Sequence, residues 1–215
     1  MGQRIDLNCD VGESHGAYRI GADEALMPWI TSANVACGYH AGDPLVMDRT
    51  VRLAVQCGVG IGAHPGYPDL LGFGRRQMQL SPEEIENYVL YQVGALGAFV
   101  RSAGAKLAHV KPHGALYNAA AKDIEMARAI ARGVARVRSD LILVGLAGSV
   151  LIEAAQEAGL RVAREGFADR AYNPDGTLRS RKLPGAVIEE PAMAAERAVR
   201  IARNGSVVAY AGEEV

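Results

Sequence analysis

Apolar and polar residues alternate at the start of the chain, over Ile5-Asp6-Leu7-Asn8-Cys9-Asp10-Val11-Gly12-Glu13. A period of two predicts a β-strand, because successive strand side chains face opposite sides. Ile5, Leu7 and Cys9 then share one face, and Asp6, Asn8 and Asp10 share the other. Asp and Asn are poor strand formers on an ordinary solvated surface. The polar row therefore reads as the lining of a wet cavity, with the apolar row packed under helices.

Further along, the rhythm switches between two and helical spacing. A short helix is expected over 22–29, then a strand over 32–38 with Ala33, Val35 and Cys37 on one face and Ser32, Asn34 and Ala36 on the other. Asp43-Pro44 is a helix start, an N-cap followed by proline at the first position, and Gly58 stops that helix after Cys57. In the strand at 59–63, Gly60 and Gly62 share a parity with His64. Ser81-Pro82-Glu83-Glu84 combines a cap, a first-turn proline and a capping-box glutamate. Ile85, Tyr88, Val89, Gln92, Leu96, Phe99 and Val100 then recur at helical spacing until Gly104. The strand at 106–113 puts His109, Lys111 and His113 on one face. Helices follow at 124–137, 150–158 and 191–203, with strands at 141–146 (apolar on both faces), 161–165 and 207–210.

Strands alternating with helices call for a parallel sheet built by right-handed crossovers. An open doubly wound sheet has helices on both faces and wants both apolar. The first four strands are polar or glycine on one face, which favours a closed βα barrel with that face inside. No GxGxxG follows the first strand, so a dinucleotide fold lacks its main signature. A chain of 215 residues, 49% hydrophobic, supports one core, and one domain spanning 1–215 is expected.

The net charge of −1, from 23 basic and 24 acidic residues, gives no electrostatic case for nucleic acid or an anionic membrane. Cys9, Cys37 and Cys57 form no CxxC pair, lie in apolar contexts and fit small buried residues in a reducing compartment. The N-terminus lacks an apolar signal core and no run reaches the roughly 18 apolar residues of a membrane span, so a cytoplasmic chain is expected.

Sites in parallel α/β folds form at the carboxyl ends of the strands. Four consecutive strands deliver ionisable groups there: Asp10 and Glu13, His40 and Asp43, His64 and Asp69, Lys111 and His113. Glycine-rich turns, 37–43 and 62–69, allow close backbone approach to a ligand. Asp10, His40, His64 and His113 are candidates for a divalent metal; the same groups suit general acid–base work, and a hydrogen-bonded polar core is the bland alternative. Gly72-Phe73-Gly74-Arg75-Arg76 is a flexible basic loop able to clamp a phosphate or carboxylate, and Arg170 or Arg181 can face a carboxylate substrate. No GxxxxGK[ST] is present, so a nucleotide would bind without a P-loop.

The stretches Asp6 to Glu13, Ser32 to Asp43, Gly62 to Asp69 and Val110 to Tyr117 closely resemble the LamB/YcsF family, and the likeness continues through Glu165 to Tyr172, Gly176-Thr177-Leu178 and Arg181. The resemblance implies a seven-stranded βα barrel similar to the polysaccharide-deacetylase fold. It also implies a 5-oxoprolinase activity: ATP-dependent opening of 5-oxoproline to L-glutamate, together with partner subunits B and C. On that reading Lys111 stabilises developing negative charge, while His40, His64 and His113 share proton transfer. Asp10 and Glu13 orient water or bind the magnesium that accompanies ATP. Asp6, Asn8, Asn34 and Asp43, with Arg75, Arg76, Arg170 and Arg181, are assigned to substrate or phosphate binding. Two other readings stay open: a metal-dependent hydrolase of amides or acylated sugars, and a non-catalytic subunit that presents the substrate. The family pattern runs on into a strand with an Ile-Cys-Val-His-Gly-Asp-like motif, whereas this sequence stops at Val215. The barrel is therefore expected without its last βα unit, with a partner or a homo-oligomer covering the gap.

Overall fold

The computed structural model describes residues 5–215. Its frame is a parallel sheet of six strands in sequential order: β1 (Asn8–Val11), β2 (Ser32–Ala36), β3 (Gly60–His64), β4 (Leu107–Val110), β5 (Ile142–Leu146) and β6 (Arg161–Glu165). The helices are α1 (Asp23–Leu26), which runs into a 3-10 turn at Met27–Trp29, then α2 (Pro44–Cys57), α3 (Pro82–Ser102), α4 (Gly114–Ala120), α5 (Ile124–Val137), α6 (Val150–Glu157) and α7 (Pro191–Asn204).

The helix starts follow their local chemistry. Asp43 accepts the Leu45 and Val46 N–H groups, and Ser81 and Glu84 close a reciprocal capping box. Gly58, at φ 68°, ends α2 in the left-handed region that glycine adopts without a Cβ penalty.

Ala33, Val35, Ile61, Ala63, Val110 and Leu143 face outward into a common core with Val51, Ala54, Val89, Leu96 and Ile130 of the helices. Each buried Val, Leu or Ile contributes about 1.5–3 kcal/mol relative to exposure, so this layer fixes which strand face turns inward. The inward face is the polar one. Register aligns Asp10 with Asn34, Asn34 with Gly62, and Gly62 with His109 in one row across β1 to β4. Within that row the His109 ring lies over Gly62, and a Cβ there would come within 2.0–2.3 Å of three ring atoms. Glycine makes the room, and His109 Nε2 reaches Asn34 Oδ1 at 2.7 Å.

The sheet curls into a half-barrel. Asn8 Nδ2 on β1 donates to Glu165 Oε1 on β6 at 3.0 Å, so side chains of the first and last strands meet across the interior. Three expectations need correction. Ile5 and Leu7 are 59% and 53% exposed, because they precede β1 at its free edge, where no helix of the described residues covers them. The stretch 207–210 does not join the sheet; Val207 and Val215 exchange N–H···O bonds of 2.8 Å, and the chain turns back through Gly212. The fourth strand ends at Val110, but Lys111 N–H still bonds Ala63 O and His113 N–H bonds Pro65 O, so the extension follows the end of β3. Among the described residues no helix is long and apolar enough to cross a membrane.

Candidate functional site

The carboxyl ends of the strands hold three tiers of polar groups. Lowest is a charged knot inside the sheet. Lys111 Nζ lies 2.7 Å from Glu165 Oε1, 3.0 Å from Asn8 Oδ1 and 3.3 Å from Asp10 Oδ1. An ammonium has three protons, and all three are directed to these partners. Asn34 Nδ2 donates to Asn8 Oδ1 and Asp10 Oδ1, and Tyr117 donates to Glu165 Oε2. Burial works to lower the Lys111 ammonium, but Asp10 and Glu165 outweigh it and raise it. Burial likewise works to raise the Asp10 carboxyl, but His64, Lys111 and Asn34 hold it well below the usual carboxylate range. Lys111 is thus the cation that keeps the knot charged, and Asn8 and Asn34 position it.

Above the knot sits the histidine tier. His64 Nδ1 faces Lys111 O at 2.6 Å, and His64 Nε2 lies 3.3 Å from Asp10 Oδ2 and 2.9 Å from His113 Nδ1. His113 Nε2 faces Phe73 O at 2.9 Å. Phe73, at φ 54°, is the one non-glycine residue with positive φ among the described residues, and that strained backbone aims its carbonyl at the ring. His40 stacks on His113 with centroids 3.7 Å apart and planes 4° from parallel. Gly66 and Gly74 permit this packing, since a Cβ on either would come within 2.7 Å of His40. Glu13 Oε1 lies 3.7 Å from His40 Nε2 and 3.9 Å from His113 Nδ1. Burial, and then the neighbouring imidazoles His64 and His40, push His113 down to about 2, while burial pushes the Glu13 carboxyl up to about 7. Burial and His64 together hold His40 well below its ordinary value.

The third tier is a basic wall. A cavity of about 660 Å³ opens beside Asp10, His64 and His113 and is lined by Arg75, Arg170 and Arg181. Seven of its lining residues are Lys or Arg, against Asp10 as the one carboxylate, in a chain whose net charge is −1. Burial and then the nearness of Arg181 lower the guanidinium of Arg75, and the same causes act on Arg170. Arg170 is held by the carbonyls of Ala186 and Arg179.

The structure therefore brings Asp10, Glu13, His40, His64, Lys111 and His113 together at the strand ends, with Asn8 and Asn34 beneath and Arg75, Arg170 and Arg181 alongside. Three expected binding residues lie elsewhere. Asp6 accepts from Thr31 and Ser32 near the opposite end of the strands. Asp43 caps α2 and takes the Gly16 N–H. Arg76 pairs with Asp69, its Nε 2.8 Å from the carboxylate, and its side chain is 65% exposed. Burial pushes the Cys37 thiol up to about 12 and Cys9 up to about 11, whereas Cys57, expected to be buried, is exposed in the last turn of α2. Glu165, not among the expected site residues, belongs to the site, and its place as the last residue of β6 is the same signal that marks the others. Phe73 carried no sequence signal beyond its flanking glycines.

Residues 5–215 match the model of the LamB/YcsF family. The chain belongs to the LamB/YcsF family. Relatives named as the A subunit of 5-oxoprolinase include one from Pyrococcus furiosus, 60% identical over 210 residues that cover 98% of this chain and 82% of the relative. Another, from Methylococcus capsulatus, is 59% identical over 212 residues, covering 99% and 82%. The crystal structure of the lactam utilization protein from Thermus thermophilus superposes with a TM-score of 0.94 at 52% identity, covering 99% of this chain and 86% of that one. The half-barrel is thus the fold of a LamB/YcsF protein.

Proposed function

We propose that this LamB/YcsF chain is the A component of a 5-oxoprolinase and supplies the site where the lactam ring is opened. The substrate is 5-oxoproline, the products are L-glutamate, ADP and phosphate, and subunits B and C act with it. The observation that carries the reading is a cavity walled by basic residues whose floor is Asp10, His64 and His113, with Glu13 and His40 packed behind those histidines.

A five-membered lactam is a weak electrophile and closes again readily. Phosphorylation of its amide oxygen by ATP creates a leaving group and draws the opening forward. A phosphorylated, carboxylate-bearing ring carries several negative charges, which the carboxylate of 5-oxoproline alone does not. Arg75, Arg170 and Arg181 match such an anion through charge-assisted hydrogen bonds. Water attack takes place at the floor of the cavity, where the Glu13–histidine cluster activates the water. Asp10, kept ionised by Lys111, orients it. The tetrahedral oxyanion forms facing the basic wall; its C–N bond breaks as the ring nitrogen takes a proton, and a second water hydrolyses the resulting acyl phosphate to L-glutamate and phosphate.

Reconstitution with subunits B and C tests the reading by ADP and glutamate release measured together. Release of both, dependent on 5-oxoproline and on all three chains, is the expected result. Lactam opening by this chain alone without ATP overturns it in favour of a simple hydrolase. An unchanged rate in His113→Ala removes the catalytic role.

A further inference from the structure

We infer that Glu13, His40, His64 and His113 form a binding site for one divalent transition-metal ion of the zinc class. One ligand atom from each of the four lies within 4.8 Å of the others. The tautomers implied by the backbone contacts strengthen the case. A carbonyl oxygen only accepts, so His113 Nε2 donates to Phe73 O and His64 Nδ1 donates to Lys111 O. In neutral rings the other two nitrogens, His113 Nδ1 and His64 Nε2, are then both lone pairs. They face each other at 2.9 Å. Two lone pairs at that distance repel unless something positive lies between or beside them.

A shared proton would serve that pair and Asp10 Oδ2, 3.3 Å from His64 Nε2. It would leave Glu13 Oε1 and His40 Nε2 as they stand now, buried polar atoms with no hydrogen-bond partner. One cation satisfies all four. Two of the three histidines, His64 and His113, also have the outer contacts of a metal site, since ligating histidines usually donate their second ring N–H to a carbonyl or carboxylate, which fixes tautomer and orientation; His40 Nδ1 has no such partner. Here the strained Phe73 carbonyl and the Lys111 carbonyl take those places.

Three imidazoles and one carboxylate oxygen form a donor set for zinc, cobalt or manganese, whereas magnesium prefers an all-oxygen shell with several waters. His40 is stacked flat on His113, so it joins the shell by turning its ring out of that stack; Glu13, His64 and His113 are the ligands already gathered. While His40 stays in its stack, Glu13, His64 and His113 would leave one coordination position free for a water. The ion site stands without the 5-oxoprolinase reading, while its use in activating water rests on that reading.

The test uses the untagged chain, stripped with a chelator and titrated calorimetrically with zinc chloride, and with magnesium chloride in parallel. One zinc per chain is expected, with magnesium at least about 100-fold weaker. Glu13→Gln and His113→Ala each weaken zinc about 100-fold while circular dichroism stays unchanged. The absence of zinc binding, or equal affinity in both variants, overturns the site. Should His113→Ala fail to fold, the cobalt-substituted wild-type chain decides: intense visible bands of a four- or five-coordinate N/O site support it, and the weak spectrum of hydrated cobalt overturns it. In the reconstituted complex, chelation lowers glutamate release about 100-fold, and zinc restores it. Full turnover by a verified metal-free complex overturns the metal's role in turnover while leaving the 5-oxoprolinase reading intact; bound zinc with no 5-oxoproline turnover does the reverse.

Discussion

Lys111 Nζ on the extension of β4 lies 2.7 Å from Glu165 Oε1 at the end of β6, with both side chains about 95% buried. This pair ties the two halves of the half-barrel together beneath the cavity. Removing Glu165 leaves the buried Lys111 ammonium with Asp10, at 3.3 Å, as its remaining counterion and one proton without an acceptor, which costs about 1–3 kcal/mol. Glu165→Ala should therefore lower stability by that amount in urea denaturation. The double change Lys111→Met with Glu165→Leu should be much less damaging than the sum of the single changes. An additive double mutant would show that the pair carries no coupling.

Gly74 stands where the 72–74 loop presses on the histidines. A Cβ there would lie 2.7 Å from the His40 Cβ and 2.9 Å from His113 Cδ2, at a backbone φ of +63°. Gly74→Ala should cost about 1–3 kcal/mol and displace both rings. Imidazole NMR shifts of His40 and His113 that match wild type would contradict the placement of this loop.

His109 predicts an acid limb of stability. Burial pushes its ring down to about 4. Below the ordinary value near 6.5, the unfolded chain takes up a proton that the folded ring refuses until about 4, so stability falls as pH drops through that window. The loss amounts to about 3 kcal/mol for this one group. His40 and His113, also lowered by burial, act in the same direction. His109→Gln, which can still donate to Asn34, should flatten the slope of unfolding free energy between pH 6.5 and 4; an unchanged slope would mean the ring is not buried neutral.

Arg181 lines the cavity and, among the described residues, has no hydrogen-bond or ion-pair partner of its own. If it meets an anion, Arg181→Ala should raise KM in the reconstituted enzyme about 10- to 100-fold, the size of one or two charged hydrogen bonds. Arg76→Ala serves as the contrast, since Arg76 is engaged with Asp69 at the surface and should leave KM unchanged. Equal effects from the two variants would place the anion elsewhere.

The inward face was legible because parity is a local property: Asn8, Asp10, Asn34, Gly62, His109 and Lys111 fall on one side of their strands whatever the tertiary fold. The family's motifs marked the histidines for the same reason. What parity does not encode is which neighbour takes up a side chain. Arg75 and Arg76 are adjacent and chemically alike, yet one faces the cavity and the other faces Asp69. Asp43 had two plausible uses, and the helix start took it. Ile5 and Leu7 alternate like core residues but precede the first paired position of an edge strand, and strand order is not written in the alternation. The short helix α4, starting directly after His113, lay hidden behind a glycine that reads as a loop.

Because the imidazole at 109 fills the volume that a side chain at 62 would claim, these two positions form one unit of variation. Among homologues, any residue larger than glycine at the first should coincide with a smaller group at the second, and a change at either alone should be rare. The histidine's bond to Asn34 adds a third member, so substitution would be correlated across three adjacent strands rather than drifting position by position.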